Sequence, residues 1–260
     1  MRSWAPARTP THVVLLAHGY GEHSGRYHHL AAALVAGGAL VTAPDHLGHG
    51  RSAGERALLT DFEHVVDDLH RAGADAAGRA GGVPMILIGH SLGGLIAARY
   101  AQRYADELTA LALSGPVLGT WSPALDLLHE DPIPDLPIDP ETLSRDASVG
   151  AAYLADPLVY HGPYREQTLR AIAGALHVVD TGPALDRLPT LWMHGEADPL
   201  VLLAESAPGV EALGAKDLTT RIYRGARHEI FNEINKDEVL ADLTAFVDVA
   251  RIAPHLPEDA

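Results

Sequence analysis

Ser91 stands at the centre of Gly89-His90-Ser91-Leu92-Gly93, a spacing that suits a nucleophilic hydroxyl. A serine hydroxyl attacks a carbonyl only when a base removes its proton and a carboxylate orients that base. The chemistry to look for is therefore covalent acyl transfer. The five preceding residues, Pro84-Met85-Ile86-Leu87-Ile88, are apolar and read as a buried strand, whereas Leu92 to Tyr100 read as a helix packed through small residues. Glycines between them let strand and helix crowd a sharp turn that projects the hydroxyl outward. A helix starting at Leu92 would also aim unpaired backbone N–H groups at the reacting atoms. Without those flanks Ser91 would be an ordinary turn residue.

A strand, a tight turn and a helix around G-x-S-x-G describe the nucleophile elbow of α/β-hydrolases, whose partners follow in the order serine, acid, histidine. His18, His23, His46, His49 and His64 precede Ser91 and fail as the base on that order. Of the later histidines, His129, His161 and His177 fall in a proline-rich insertion, His255 lies in the tail, and His194 precedes every plausible acid near it. His228 follows the last strand in Tyr223-Arg224-Gly225-Ala226-Arg227-His228 and is the expected base. The expected acid is Asp198, in the loop directly after the strand Thr190–His194, with Pro199 stiffening the turn. Glu196 is its rival two residues upstream, and turn formation alone would also explain Asp198-Pro199.

Two backbone N–H donors are needed for the oxyanion. Leu92 supplies one, and the loop His18-Gly19-Tyr20-Gly21-Glu22 supplies the other, with Tyr20 preferred and Gly19 or Gly21 open. Asp45-His46-Leu47-Gly48-His49-Gly50-Arg51-Ser52 holds one carboxylate and two imidazoles. That spacing is a weak metal signal, and a loop braced by internal hydrogen bonds is the better expectation. No metal and no organic cofactor is called for, and no P-loop or dinucleotide fingerprint is present. Glu22 and Arg26 form a charged pair that would suit a polar substrate end or, equally, a surface salt bridge.

The elements that must position these groups are short apolar strands alternating with amphipathic helices, an α/β pattern with a mostly parallel sheet covered on both faces. Strands are expected at His12–Ala17, Ala39–Ala43, Pro84–Ile88, Ala110–Ser114, Thr190–His194 and Leu218–Tyr223, with helical periodicity after all but the last two loops. Thr60-Asp61-Phe62-Glu63 reads as a capping box, and Asn235-Lys236-Asp237-Glu238 announces the last helix. From Trp121 to about Asp180 the alternation breaks into a stretch rich in proline, with Leu125, Leu127, Leu128, Ile133, Leu136 and Ile138 between the prolines. This reads as a cap over the carboxyl ends of the strands, dividing the chain into core (1–118), cap (119–180) and core (181–260). The aliphatics are expected to line an acyl tunnel and to form a rim for transient contact with lipid aggregates. The 260 residues are 47% hydrophobic and 20% charged, as in a globular protein. The net charge of −15 disfavours nucleic acid and anionic lipid. The absence of cysteine rules out thiol catalysis and, with no leader-like or membrane-spanning run, fits a soluble cytoplasmic protein.

The chain resembles the monoacylglycerol lipase family. The resemblance is carried by His18–Tyr27, Asp45–Arg56, Gly89–Gly94, Leu143–Asp146, Asp156-Pro157-Leu158, His194–Asp198 and Gly225–Glu229, blocks that span most of the chain in one order. It implies an α/β-hydrolase that cleaves monoacylglycerol to glycerol and fatty acid, with Ser91, Asp198 and His228 as triad and Tyr20 and Leu92 as oxyanion donors. It further implies that glycerol is held near Glu22, Arg26 and His90, with Tyr153 reaching in from the cap. Two departures stand out. Tyr20 occupies a position where the family often has a smaller residue, and Glu229-Ile230-Phe231 follows His228 without a further histidine that some members carry. Another single-chain ester, such as a lysophospholipid or short carboxylester, is the alternative substrate. A catalytically dead, ligand-binding scaffold is the alternative of a different class.

Overall fold

The computed structural model describes residues 1–252, so His255 and the polar Pro257–Ala260 end lie outside the described residues. The strands are β1 (Arg2–Trp4), β2 (His12–Ala17), β3 (Ala39–Ala43), β4 (Met85–His90), β5 (Ala110–Ser114), β6 (Thr190–Gly195) and β7 (Leu218–Tyr223). The helices are α1 (His28–Ala36), α2 (Phe62–Ala80), α3 (Leu92–Tyr104), α4 (Ser122–Leu125), α5 (Ala147–Ala155), α6 (Glu166–Asp180), α7 (Leu203–Ala212) and α8 (Lys236–Ala250). Among the described residues the seven strands form one sheet in the order β1-β3-β2-β4-β5-β6-β7. All neighbours are parallel except β1, which runs antiparallel to β3. No helix among the described residues is long and apolar enough to cross a membrane.

The central strands β2 to β6 are buried at every position because both faces of the sheet are covered. In β2, Val13, Leu15 and Ala17 point into the core beneath α2, α3 and α6, whereas Val14 and Leu16 point into the core beneath α1 and α8. In β4, Met85 and Leu87 divide from Ile86 and Ile88 in the same way. The edge strand β7 is mostly exposed, with Tyr223 its buried residue, which suits its Thr219-Thr220-Arg221 interior. Between β5 and β6, α6 buries Leu169, Ile172, Leu176 and Val179 in the same core as the sheet face. The helical spacing of these four residues is thus a packing stripe on the core.

Several local expectations need correction. Strand β4 begins after Pro84, which has no N–H to donate, and runs through His90 to the turn itself. Strand β1 is too short to show a period, and α7 was unexpected because Pro208 and Gly209 interrupt its pattern. The capping box at Thr60 does not form. Asp61 is the N-cap and accepts from Glu63 N, while the Glu63 carboxylate reaches across to Arg99 (2.6 Å) and Arg103 (2.6 Å) on α3 instead of back to the cap.

Candidate active site

Ser91 sits between β4 and α3 with φ 55° and ψ −122°, a left-handed conformation that costs a non-glycine residue on the order of 1–3 kcal/mol. Three backbone hydrogen bonds hold it there: Ser91 N donates to Ser114 O (2.9 Å), and Gly94 N and Val117 N donate to Ser91 O (2.8 and 3.0 Å). The flanking glycines are required by contact. A Cβ on Gly93 would run into the Ala17 carbonyl, and one on Gly89 into the Gly93 carbonyl. The elbow exists because strand and helix backbones touch where only glycine fits.

His228 Nδ1–H donates to Asp198 Oδ2 at 2.7 Å, both residues being buried. The other oxygen, Asp198 Oδ1, accepts from Leu200 N (2.9 Å) and Val201 N (3.0 Å). Turn formation and histidine orientation are therefore one arrangement: the turn holds Oδ1 and so aims Oδ2. Burial acts to raise the Asp198 pKa, but the His228 charge and hydrogen bonds from His194 and His228 outweigh it and hold the carboxyl well below its ordinary range. Burial acts to lower that of His228, and the Asp198 carboxylate outweighs it, so the imidazole is more basic than usual. Glu196, the rival acid, is exposed and accepts from Gly225 N (3.0 Å). With Nδ1 engaged, Nε2 is left for proton exchange. Ser91 and His228 line the same cavity, and Ser91 Oγ has no hydrogen-bond partner among the described residues.

The histidine-rich segment after β3 is a brace. Asp45 accepts from Ser24 N (2.9 Å), Ser24 Oγ (2.5 Å) and Arg51 N (3.0 Å). His46 N donates to His18 Nε2, and His46 Nε2–H donates to His18 O, both at 3.0 Å. These contacts fix the loop carrying Tyr20. Gly19 N–H is engaged by Glu22 Oε1 at 2.6 Å, which removes it from the candidate oxyanion donors. Tyr20 N–H, Gly21 N–H and Leu92 N–H are unengaged among the described residues.

Tyr20, Glu22, Arg26, His90 and Tyr153 all line the cavity beside Ser91 and His228. It is a narrow cavity that the same side chains enclose from both the core and residues 119–180. Glu22 and Arg26 are a buried pair, which corrects the surface-salt-bridge alternative, and the sequence reading assigned no role to their third partner. Arg26 donates to Glu22 Oε2 (2.8 Å) and, with both terminal nitrogens, to Glu229 (2.6 and 2.9 Å). Burial acts to raise the Glu22 pKa, yet Arg26, His90 and the Tyr27 hydroxyl (2.5 Å) hold it down. Burial and the His228 charge push His90 down to about 4, so it is neutral, with Nδ1–H donating to Ser114. The acidic residue directly after the catalytic-base candidate was the available signal for Glu229.

The cap aliphatics divide. Of the six expected to line a tunnel, Ile138 lines the cavity. Leu125, Leu127, Leu128 and Ile133 pack against the main core, and Leu136 is 56% exposed. The other apolar lining comes from Trp121, Leu143, Tyr164, Leu200 and Val201. Apolar character marks a residue for burial without specifying which surface it covers.

A mostly parallel, doubly covered sheet with a strained serine between strand and helix, at the strand ends where ligands bind, defines an α/β-hydrolase of the serine type. The chain belongs to the family described as serine aminopeptidase, S33, which matches residues 8–235. It is 39% identical over 253 residues to the monoacylglycerol lipase of Mycolicibacterium smegmatis, covering 94% of this chain and 90% of that protein. It is 31% identical to the monoglyceride lipase of Homo sapiens, with 90% and 80% covered. The crystal structure of Paleococcus ferrophilus monoacylglycerol lipase superposes with a TM-score of 0.81 at 29% identity, covering 96% of this chain and 98% of that one. The chain is a serine hydrolase with monoacylglycerol lipase relatives.

Proposed function

We propose that this enzyme hydrolyses monoacylglycerols to glycerol and a fatty acid through Ser91, His228 and Asp198. The observation that carries the reading is the buried 2.7 Å hydrogen bond from His228 to Asp198 beside the elbow serine. Ser91 Oγ attacks the ester carbonyl while His228 Nε2 takes its proton, and Asp198 stabilises the imidazolium. Leu92 N–H and Tyr20 N–H receive the oxyanion. Collapse expels the alcohol, which takes the proton from His228 and leaves an acyl-Ser91 ester. Water activated by the same imidazole then releases the fatty acid and restores the hydroxyl.

The alcohol leaves on the side of Glu22, Arg26, His90 and Tyr153, and the acyl chain passes the apolar lining that includes Ile138 and Leu143. Residues 119–180 act as a cap over the cavity, to which they contribute Trp121, Ile138, Leu143, Tyr153 and Tyr164. Exposed Leu136 and Leu154 form the rim that meets lipid aggregates. The protein works in the cytoplasm without metal or cofactor. Steady-state assays across mono-, di- and triacylglycerols, lysophospholipids and p-nitrophenyl esters of one acyl chain test the reading, with monoacylglycerol expected first and triacylglycerol negligible. Comparable kcat/KM for mono- and triacylglycerol in matched dispersions would recast the enzyme as a general lipase. Labelling of Ser91 by a fluorophosphonate separates a working hydrolase from a dead scaffold.

A further inference from the structure

We infer that the alcohol side of the cavity is a net-anionic socket in which Glu229 excludes anionic head groups, so that the enzyme takes esters of neutral polyols and rejects those of phosphorylated alcohols. This rests on the reading of the site as one for single-chain esters. The socket holds two buried carboxylates, Glu22 and Glu229, against one guanidinium, Arg26. Arg26 is matched twice, bidentate to Glu229 and again to Glu22. Its face is covered by the Tyr153 ring, 5.3 Å from Cζ to the centroid, and its side chain is 11% exposed. Asn232 Nδ2 donates to Glu229 Oε2 at 2.7 Å and holds that carboxylate in place without changing its charge. His90 adds no charge while neutral.

A neutral polyol can donate its hydroxyls to the free lone pairs of these carboxylates. A phosphate monoester brings negative charge and acceptor oxygens, and it meets carboxylates with no uncommitted cation. For Arg26 to turn to the phosphate it must release Glu229, leaving a buried carboxylate unpaired, which is strongly unfavourable. The overall charge of −15 also repels anions, so a local effect must be separated from the general field.

The test compares kcat/KM of the full-length enzyme on a monoacylglycerol and on the acylglycerol phosphate of the same acyl chain, both below their aggregation concentrations. The wild type is expected to favour the neutral ester by about a hundredfold. Glu229→Gln is expected to narrow that preference by about tenfold or more, a difference of about 1.4 kcal/mol. Glu211→Gln, an exposed charge removed on α7, is expected to leave the ratio within about twofold. If Glu229→Gln fails to melt like the wild type, Glu22→Gln makes the same test from the other side of Arg26. Equal use of both esters by the wild type overturns the inference. So does an unchanged ratio in a folded Glu229→Gln enzyme, or equal narrowing in Glu211→Gln. Failure of the wild type to hydrolyse either ester overturns the single-chain ester reading itself.

Discussion

Asp198→Asn isolates the part of the site whose geometry does the most chemistry. An asparagine at this position has two placements. If its Oδ1 keeps accepting from Leu200 N and Val201 N, its Nδ2 faces His228 Nδ1 and must donate to it. The imidazole proton is then driven to Nε2, where it blocks uptake of the Ser91 proton. The flipped placement keeps the useful tautomer but sets an NH₂ group against two backbone N–H donors. Leaving those two buried donors unpaired costs roughly 1–3 kcal/mol each, so the first placement prevails. The wrong tautomer is expected to lower kcat by on the order of 10⁴-fold, about 5.4 kcal/mol of transition-state stabilisation. The assay is steady-state hydrolysis of a soluble short-chain p-nitrophenyl ester, which removes lipid dispersion as a variable, with a thermal melt to confirm folding. Glu196→Gln is the control, since its exposed carboxylate touches only Gly225 N, and it is expected to change kcat by no more than about twofold. A folded Asp198→Asn enzyme within tenfold of wild type, or a large loss in Glu196→Gln, would refute the assignment.

Three further outcomes follow from the same geometry. The proposed mechanism needs neutral His228, whose pKa is raised above 6.5 by Asp198, so kcat/KM should fall with acid along a limb whose apparent pKa lies above 6.5, and a limb centred below 6 would contradict this. The linked stability has the matching sign: the His228 contribution is full below pH 6.5 and lost as pH rises through its folded pKa, whereas that of Asp198 is present above pH 3.8 and lost on acidification. His18, pushed down to about 3 by burial and His49, and His90, pushed down to about 4 by burial and His228, are neutral in the fold. Each should remove up to about 1.4 kcal/mol of stability per pH unit as pH falls below 6.5; a urea midpoint unchanged between pH 6.5 and 5 would count against it. Gly93→Ala must push its methyl into the Ala17 carbonyl, so a loss of at least 1–3 kcal/mol or failure to fold is expected, and a wild-type melting temperature would show that strand and helix are not in contact there.

The features legible in the sequence are those set by neighbours a few residues apart. Runs such as Val13–Ala17 and Ile86–Ile88 declare strands buried on both faces, and β2, β3, β5 and β7 coincide with their expected spans. Glycine at 89 and 93 announces a backbone approach that side chains forbid, and chain order then selects His228 from sixteen histidines. Capping shows the limit of such local signals. Thr60 and Glu63 have the right spacing for a reciprocal cap, but Glu63 is claimed by Arg99 and Arg103, 36 and 40 positions away.

By itself, then, the sequence determined six of the seven strands and the elbow that carries Ser91, because hydrophobic period, glycine sterics and turn chemistry act over one or two turns of chain. Tertiary structure decided which carboxylate meets His228, since that depends on the loops after β6 and β7 lying side by side, 30 positions apart. It decided that Gly19 N–H is already engaged, leaving Tyr20 and Gly21. It placed Ile138 in the cavity and its aliphatic neighbours on the core. Most of all, it joined Arg26 to Glu229 across 203 positions. No local propensity encodes that pairing; it exists because the sheet brings the loops after β2 and β7 to the same edge, where two largely buried charges of opposite sign are stabilised by pairing.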